Sequence, residues 1–201
     1  MTKGAFGDSP IKMKFEQAEK LSDEELVKLT LSNQDYFLFI IHRYKIRLFN
    51  YIRRVTNISY EDAEDILQDV FIKIYFNLND FAPDLKFSSW VYAIARNQAI
   101  SNYRKLRSRA EGHKTDFNDD IVNDLVFEID INKNIDAKFL KENVQKILSS
   151  MNGKYREVLV LKFLEDKSYQ EISDIIKKPS GTVGSMINKA KKIFRDKLNN
   201  I

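Results

Sequence analysis

Three blocks of charge stand out for their one-sidedness. Glu61 to Asp69 holds five carboxylates and no base, Arg96 to Arg109 holds five bases and no acid, and Lys189 to Lys197 holds five bases against one acid. Carboxylates on one face suit a basic protein partner; clustered lysine and arginine suit phosphates. Around the second block Phe81, Phe87, Trp90, Tyr92 and Tyr103 interleave with Arg96, Arg104 and Lys105. Aromatic faces beside a basic groove are the residue types that capture unstacked bases of a single strand. Catalytic chemistry is poorly served. Cysteine is absent, His42 and His113 are the only histidines, and no phosphate-cradling glycine loop occurs, so neither a metal, a nucleotide nor an organic cofactor is implied.

Each block needs an element to carry it, and the elements read as helices. In residues 60–78, Ala63, Ile66, Leu67, Val70, Ile74 and Leu78 recur at offsets of three and four, an apolar stripe for a core. Asp62, Asp65 and Asp69 follow the same spacing on another face and point at solvent or a partner. Residues 79–86 contain Pro83 and read as a loop. Residues 87–107 form a helix on which Trp90, Ile94, Asn97 and Ser101 share one face and Tyr92, Arg96 and Tyr103 another; the second face is the stronger candidate for DNA. Upstream, Leu21 to Leu31 and Asp35 to Arg54 read as helices, the first opened by Ser22 with Glu25 in a capping box.

The third block ends the chain. Helices are expected over 136–151, 154–165, 168–177 and 180–199. Ser168 with Glu171 makes a second capping box, Lys177 to Pro179 a short break, and the last helix turns Val183, Ile187, Ala190 and Phe194 inward. That leaves Ser180, Thr182, Ser185, Asn188, Lys189 and Lys192 outward. The pair has the form of a helix-turn-helix, whose second helix brings small polar residues to base edges and lysines to phosphates.

The 201 residues carry a net charge of +4, partitioned as +2 over 1–107, −4 over 108–135 and +6 over 136–201. The sequence therefore predicts an all-α protein of two helical domains joined by an acidic flexible linker, the second domain ending in the helix-turn-helix. Six Gly and three Pro are too few for an all-β fold. No apolar run is long enough to cross a bilayer and no secretory signal opens the chain, which predicts a soluble cytoplasmic protein with no membrane insertion.

Residues 61–107 (EDAEDILQDVFIKIYFNLNDFAPDLKFSSWVYAIARNQAISNYRKLR) and 153–198 (GKYREVLVLKFLEDKSYQEISDIIKKPSGTVGSMINKAKKIFRDKL) resemble the sigma factors of bacterial RNA polymerase, specifically the two-domain extracytoplasmic-function group. The resemblance implies region two over 21–107, the acidic linker over 108–135 and region four over 136–201; residues 1–20 match nothing in it and are expected to be a disordered N-terminal tail. It implies a promoter-specific initiation factor, not an enzyme. Its partners would be the two largest subunits of core RNA polymerase and promoter DNA, double- and single-stranded. Asp62, Asp65, Gln68 and Asp69 match the family's polymerase-docking surface. Phe81, Phe87, Trp90, Tyr92, Arg96, Asn97, Tyr103, Arg104 and Lys105 fall in the part that recognises and melts the minus-ten element. The helix-turn-helix residues named above would read the minus-thirty-five element. The family usually places basic residues where this chain has Gly184 and Met186, which weakens upstream reading and admits an accessory DNA-bound recruiter; an anti-sigma factor is a further partner the resemblance admits. Two alternatives stay open: a helix-turn-helix regulator that never meets polymerase, and a sigma-like decoy.

Overall fold

A computed structural model describes residues 13–82, 84–109 and 137–199. Among these every regular element is helical. The helices are α1 (Phe15–Ala18), α2 (Asp23–Ser32), α3 (Phe37–Thr56), α4 (Tyr60–Phe76), α5 (Phe87–Arg109), α6 (Ala137–Ser150), α7 (Gly153–Leu159), α8 (Tyr169–Ile176) and α9 (Ser180–Leu198). The acidic linker expected over 108–135 lies outside the described residues but for its first two; of the tail expected over 1–20, residues 13–20 are described, and there α1 packs on α3, with the Phe15 ring 5.0 Å from Phe39 and 4.7 Å from His42.

Local chemistry explains the starts and stops. Ser22 Oγ accepts the Glu25 N–H at 3.2 Å while the Glu25 carboxylate accepts the Ser22 N–H at 2.6 Å, the expected capping box. Ser168 and Glu171 repeat it before α8, at 3.2 and 2.9 Å. Asn57 ends α3 in the left-handed region, where asparagine is tolerated better than most residues. Lys177 ends α8 in the same region at φ 54°, without asparagine's local compensation.

The apolar stripe of α4 is buried as its spacing predicts: Ala63, Val70 and Ile74 are fully enclosed, against α3 and α5. Together with α2 these three helices make the first unit, its core centred on Ile40, Leu48, Ile52, Phe87 and Val91. The second unit packs α6 to α9 around Val158, Leu161, Ile172, Val183, Ile187 and Phe194. The stretch 154–165, read as one helix, is two pieces: α7 runs into a π-helical turn at Val160–Leu164, closed by Glu165 N–H to Val160 O at 3.0 Å. The wider turn carries Glu165 to the surface where the two units meet.

Candidate polymerase- and DNA-binding surfaces

Helix α4 presents one continuous open stripe. Glu61, Asp65, Gln68 and Asp69 are exposed along its first half. Helical spacing continues that line through Ile72 and Phe76, which are 53% and 74% exposed and among the most open large apolar side chains in the structure. The stripe thus changes from acidic to apolar along its length. Sequence reading missed the apolar half, although the signal was there: Ile72 sits three residues after Asp69 and Phe76 four after Ile72, both off the core stripe. Phe71 and Tyr75, the neighbouring aromatics, turn inward instead, against Phe37.

Asp62 differs from its neighbours. It is half-buried, its N–H donates to Ser59 Oγ at 3.0 Å, and Ser59 Oγ donates to its carboxylate at 2.7 Å. Asp62 is therefore part of the helix start, where a carboxylate also favours the helix dipole. Asp69 accepts from Gln98 Nε2 at 2.8 Å, which ties the acidic stripe to α5.

The candidate DNA residues divide by face. Trp90 is half-buried, its ring 5.6 Å from both Phe81 and Phe87, with Ile94 partly open and Asn97 and Ser101 exposed beyond it. Arg104 and Lys105 are exposed further along and Tyr103 is half-buried. This open face is an aromatic platform followed by polar and basic groups. Phe87 itself is core, 1% exposed and edge-on to Tyr44 at 5.9 Å, so it supports the platform from beneath and meets no ligand directly.

The other face of α5, the stronger candidate on sequence alone, is covered. Tyr92 is fully buried and donates to the carboxylate of Glu165 in the second unit. Arg96 forks onto both oxygens of Glu157, Nε at 2.7 Å and Nη2 at 3.2 Å. Periodicity placed these residues on one face correctly; nothing in it could show that α7 and α8 lie across that face. Burial together with the Glu165 carboxylate pushes the Tyr92 hydroxyl far above its ordinary range, so it stays protonated as a donor. Burial raises Glu165 as well, against the opposing pull of Tyr92, Arg54, Arg47 and Lys167.

Helix α9 keeps its outer face open. Ser180, Thr182, Ser185, Asn188, Lys189 and Lys192 are all exposed, opposite a buried row of Val183, Ile187, Ala190 and Phe194. Ser185 Oγ donates back to Gly181 O at 3.1 Å. Lys189 and Lys154 both lean over the Tyr155 ring, and the Lys189 ammonium lowers that phenol. A Cβ on Gly184 would stand 3.6 Å from the Tyr169 ring, an ordinary contact, so packing does not demand glycine there. Among the described residues no group of His, Cys, Asp and Glu gathers as a metal site, and no helix is long and apolar enough to cross a membrane.

An all-α chain of two units, one bearing an acid-striped helix and an aromatic platform, the other a helix-turn-helix, has the architecture of a transcription initiation factor. Residues 40–109 match the family described as Sigma-70 region 2, and residues 141–193 match Sigma-70, region 4. The chain is 30% identical over 190 residues to the ECF RNA polymerase sigma factor SigW of Bacillus subtilis, covering 91% of this chain and 100% of the relative. It is 29% identical over 191 residues to the ECF RNA polymerase sigma-E factor of Escherichia coli, covering 90% and 96%. It belongs to the ECF sigma factors of the sigma-70 family, which direct RNA polymerase to promoters at transcription initiation. Two solved structures share the fold. One is CnrH in complex with the cytosolic domain of CnrY (22% identity, TM-score 0.65, 89% and 97% covered). The other is the sigma factor RpoE in complex with the anti-sigma factor NepR from Bartonella quintana (18%, TM-score 0.63, 81% and 96%).

Proposed function

We propose that α4 docks the chain on core polymerase through its whole open stripe, polar at Asp65, Gln68 and Asp69, with Asp62 at its rim, and apolar at Ile72 and Phe76. The partner is a basic helical element of the largest subunit, with region four resting on the second large subunit. The observation that carries this is the stripe itself. Four exposed acids in one block repel one another, and two large apolar side chains in water gain nothing, unless a partner of opposite charge and apolar character covers them.

Promoter melting follows from α5. The Phe81–Phe87–Trp90 cluster offers a ring to an unstacked base, and Asn97, Arg104 and Lys105 continue along the strand. Flipping a base costs a few kcal/mol, which stacking of about 1–3 kcal/mol per base and pocket contacts recover. Helix α9 reads the upstream element with short polar groups and lysines. Because Gly184 and Met186 supply no charge at the start of that helix, a second DNA-bound partner raises the local concentration of this sigma at its promoters. Regulation by an anti-sigma factor fits the class of complex in which the structural relatives occur.

Gel filtration with core polymerase, then transcription from candidate promoters, tests the proposal. Co-elution with promoter-dependent transcripts is expected. No co-elution would overturn the docking assignment and favour a free DNA-binding regulator; co-elution without transcripts would favour a decoy. Strong transcription that falls when the upstream element is scrambled, with no other factor added, would sink the recruiter.

A further inference from the structure

The two units meet through charge. Of the eight buried polar side chains among the described residues, Arg54, Arg156, Glu157, Glu165 and Lys167 all lie where region four rests on region two. Arg54 Nη1 donates to Glu165 at 2.9 Å, with both side chains under 10% exposed. Tyr92 donates to the other Glu165 oxygen, and Tyr51 donates to Glu157 at 3.3 Å beside Arg96. Arg156 reaches back to the Val55 carbonyl at the end of α3, at 2.6 Å. Lys167 stands 3.0 Å from Ser88 Oγ and 4.3 Å above the Tyr92 ring, and Lys86 bonds Glu171 at 3.3 Å.

A contact meant to be permanent gains more from apolar packing than from buried ion pairs, whose desolvation offsets most of their attraction. Contacts between domains of one chain move by default unless large and hydrophobic. Here the Arg54–Glu165, Arg96–Glu157 and Lys86–Glu171 pairs all cross the boundary, so separation returns these ions to water. The region-two side is also chemically particular. Arginine forks and tyrosine hydroxyls bind carboxylate and phosphate oxygens in the same geometry, and Arg96 already holds both oxygens of one carboxylate.

We propose that Glu157 and Glu165 hold the chain closed by occupying, in place of phosphates, the face that Arg54, Arg96, Tyr51 and Tyr92 present, so that region four and single-stranded DNA compete for it. The aromatic platform at Trp90 and the docking stripe on α4 stay open in this closed form; only the phosphate side is covered. The polyanion's identity rests on the sigma reading, whereas closure is measured without polymerase.

The native chain has no cysteine, so dyes placed at Lys28→Cys and Lys178→Cys report the separation of the units by energy transfer. Glu157→Ala with Glu165→Ala should lower transfer and tighten binding of a labelled single-stranded DNA oligonucleotide by about tenfold or more. Asp174→Asn with Asp196→Asn makes the same charge change outside the Glu157 and Glu165 contacts and should do neither. Circular dichroism establishes that the helices persist. Unchanged transfer, or tightening no greater than in the control pair, would overturn the proposal. A second arm locks the boundary instead: the Ser88→Cys, Lys167→Cys variant gives up the Lys167 contacts with Ser88 and Tyr92, and when joined by a cleavable bismaleimide it should lose oligonucleotide binding relative to its unjoined form and regain it on cleavage. Binding equal in the joined and cleaved forms would also overturn it.

Discussion

Phe76→Ala tests the apolar half of the docking stripe in isolation. The side chain is 74% exposed, so truncating it leaves no cavity and should move the melting temperature little. A phenylalanine buries roughly 150–250 Å² when enclosed, so a partner covering the open part of Phe76 removes on the order of 100–150 Å² from water. At about 25 cal/mol per Å² that is roughly 3 kcal/mol, and ordering costs at an interface reduce the realised loss to about 2 kcal/mol. The affinity for core polymerase should therefore fall by about 30-fold. Titration of labelled protein with core polymerase at low and high salt reads this directly. The Phe76→Ala loss should be the same at both, because burial of apolar surface is not screened. Asp65→Lys with Asp69→Lys should show a large loss at low salt that shrinks as salt rises. Asp62 is left out because its contacts with Ser59 make it part of the helix start. An affinity within twofold of the native chain at both salts would refute the reasoning for Phe76.

Trp90→Ala should leave polymerase binding intact and reduce thymine reactivity to permanganate in the melted promoter, since one stacking contact is worth about 1–3 kcal/mol; unchanged reactivity would mean the platform only packs. Lys177→Gly should raise the melting temperature, because a non-glycine residue in the left-handed region costs about 1–2 kcal/mol; an unchanged or lower value would contradict that. Gly184→Ala should stabilise α9 by up to about 1 kcal/mol, the added methyl meeting Tyr169 at ordinary distance, and denaturant unfolding measures it. The closed form should also depend on pH through Glu165, which faces Tyr92 from α5, Arg54 and Arg47 from α3 and Lys167 from its own loop. Burial raises this carboxyl above its ordinary 4.5, so closing takes up a proton and is favoured as pH falls through the raised value toward 4.5. Energy transfer should rise over that window in the dye-labelled Lys28→Cys, Lys178→Cys protein and not when Glu165→Ala is added to it.

Most of the helical framework was legible in the residues. The α4 stripe, both capping boxes and the inward row of α9 each follow from local spacing and local hydrogen bonds, and the structure places them within a residue or two of expectation. The π turn at Val160–Leu164 was not legible, because one extra residue in a buried apolar run leaves no mark in composition. Tyr92 and Arg96 show a different limit. Their shared face was readable, but what covers it is decided by side chains more than sixty residues away in the sequence, and helical periodicity carries no information across that distance. Phe87 was misjudged for the opposite reason: an aromatic beside a basic block fits both a stacking platform and the core beneath one.

The boundary held by Glu157 and Glu165 joins two parts of a single chain, and that changes what its strength must be. Twenty-seven residues separate the end of α5 from the start of α6. A tether of that order keeps its ends at an effective mutual concentration near the millimolar range. Region four therefore needs only millimolar intrinsic affinity for region two to be seated half the time, and dilution of the protein leaves the ratio unchanged. A rival in solution must exceed that internal concentration, or bind correspondingly more tightly, to hold the face. On the proposed docking through α4, promoter DNA delivered by the polymerase would itself be tethered, and so would compete on equal terms.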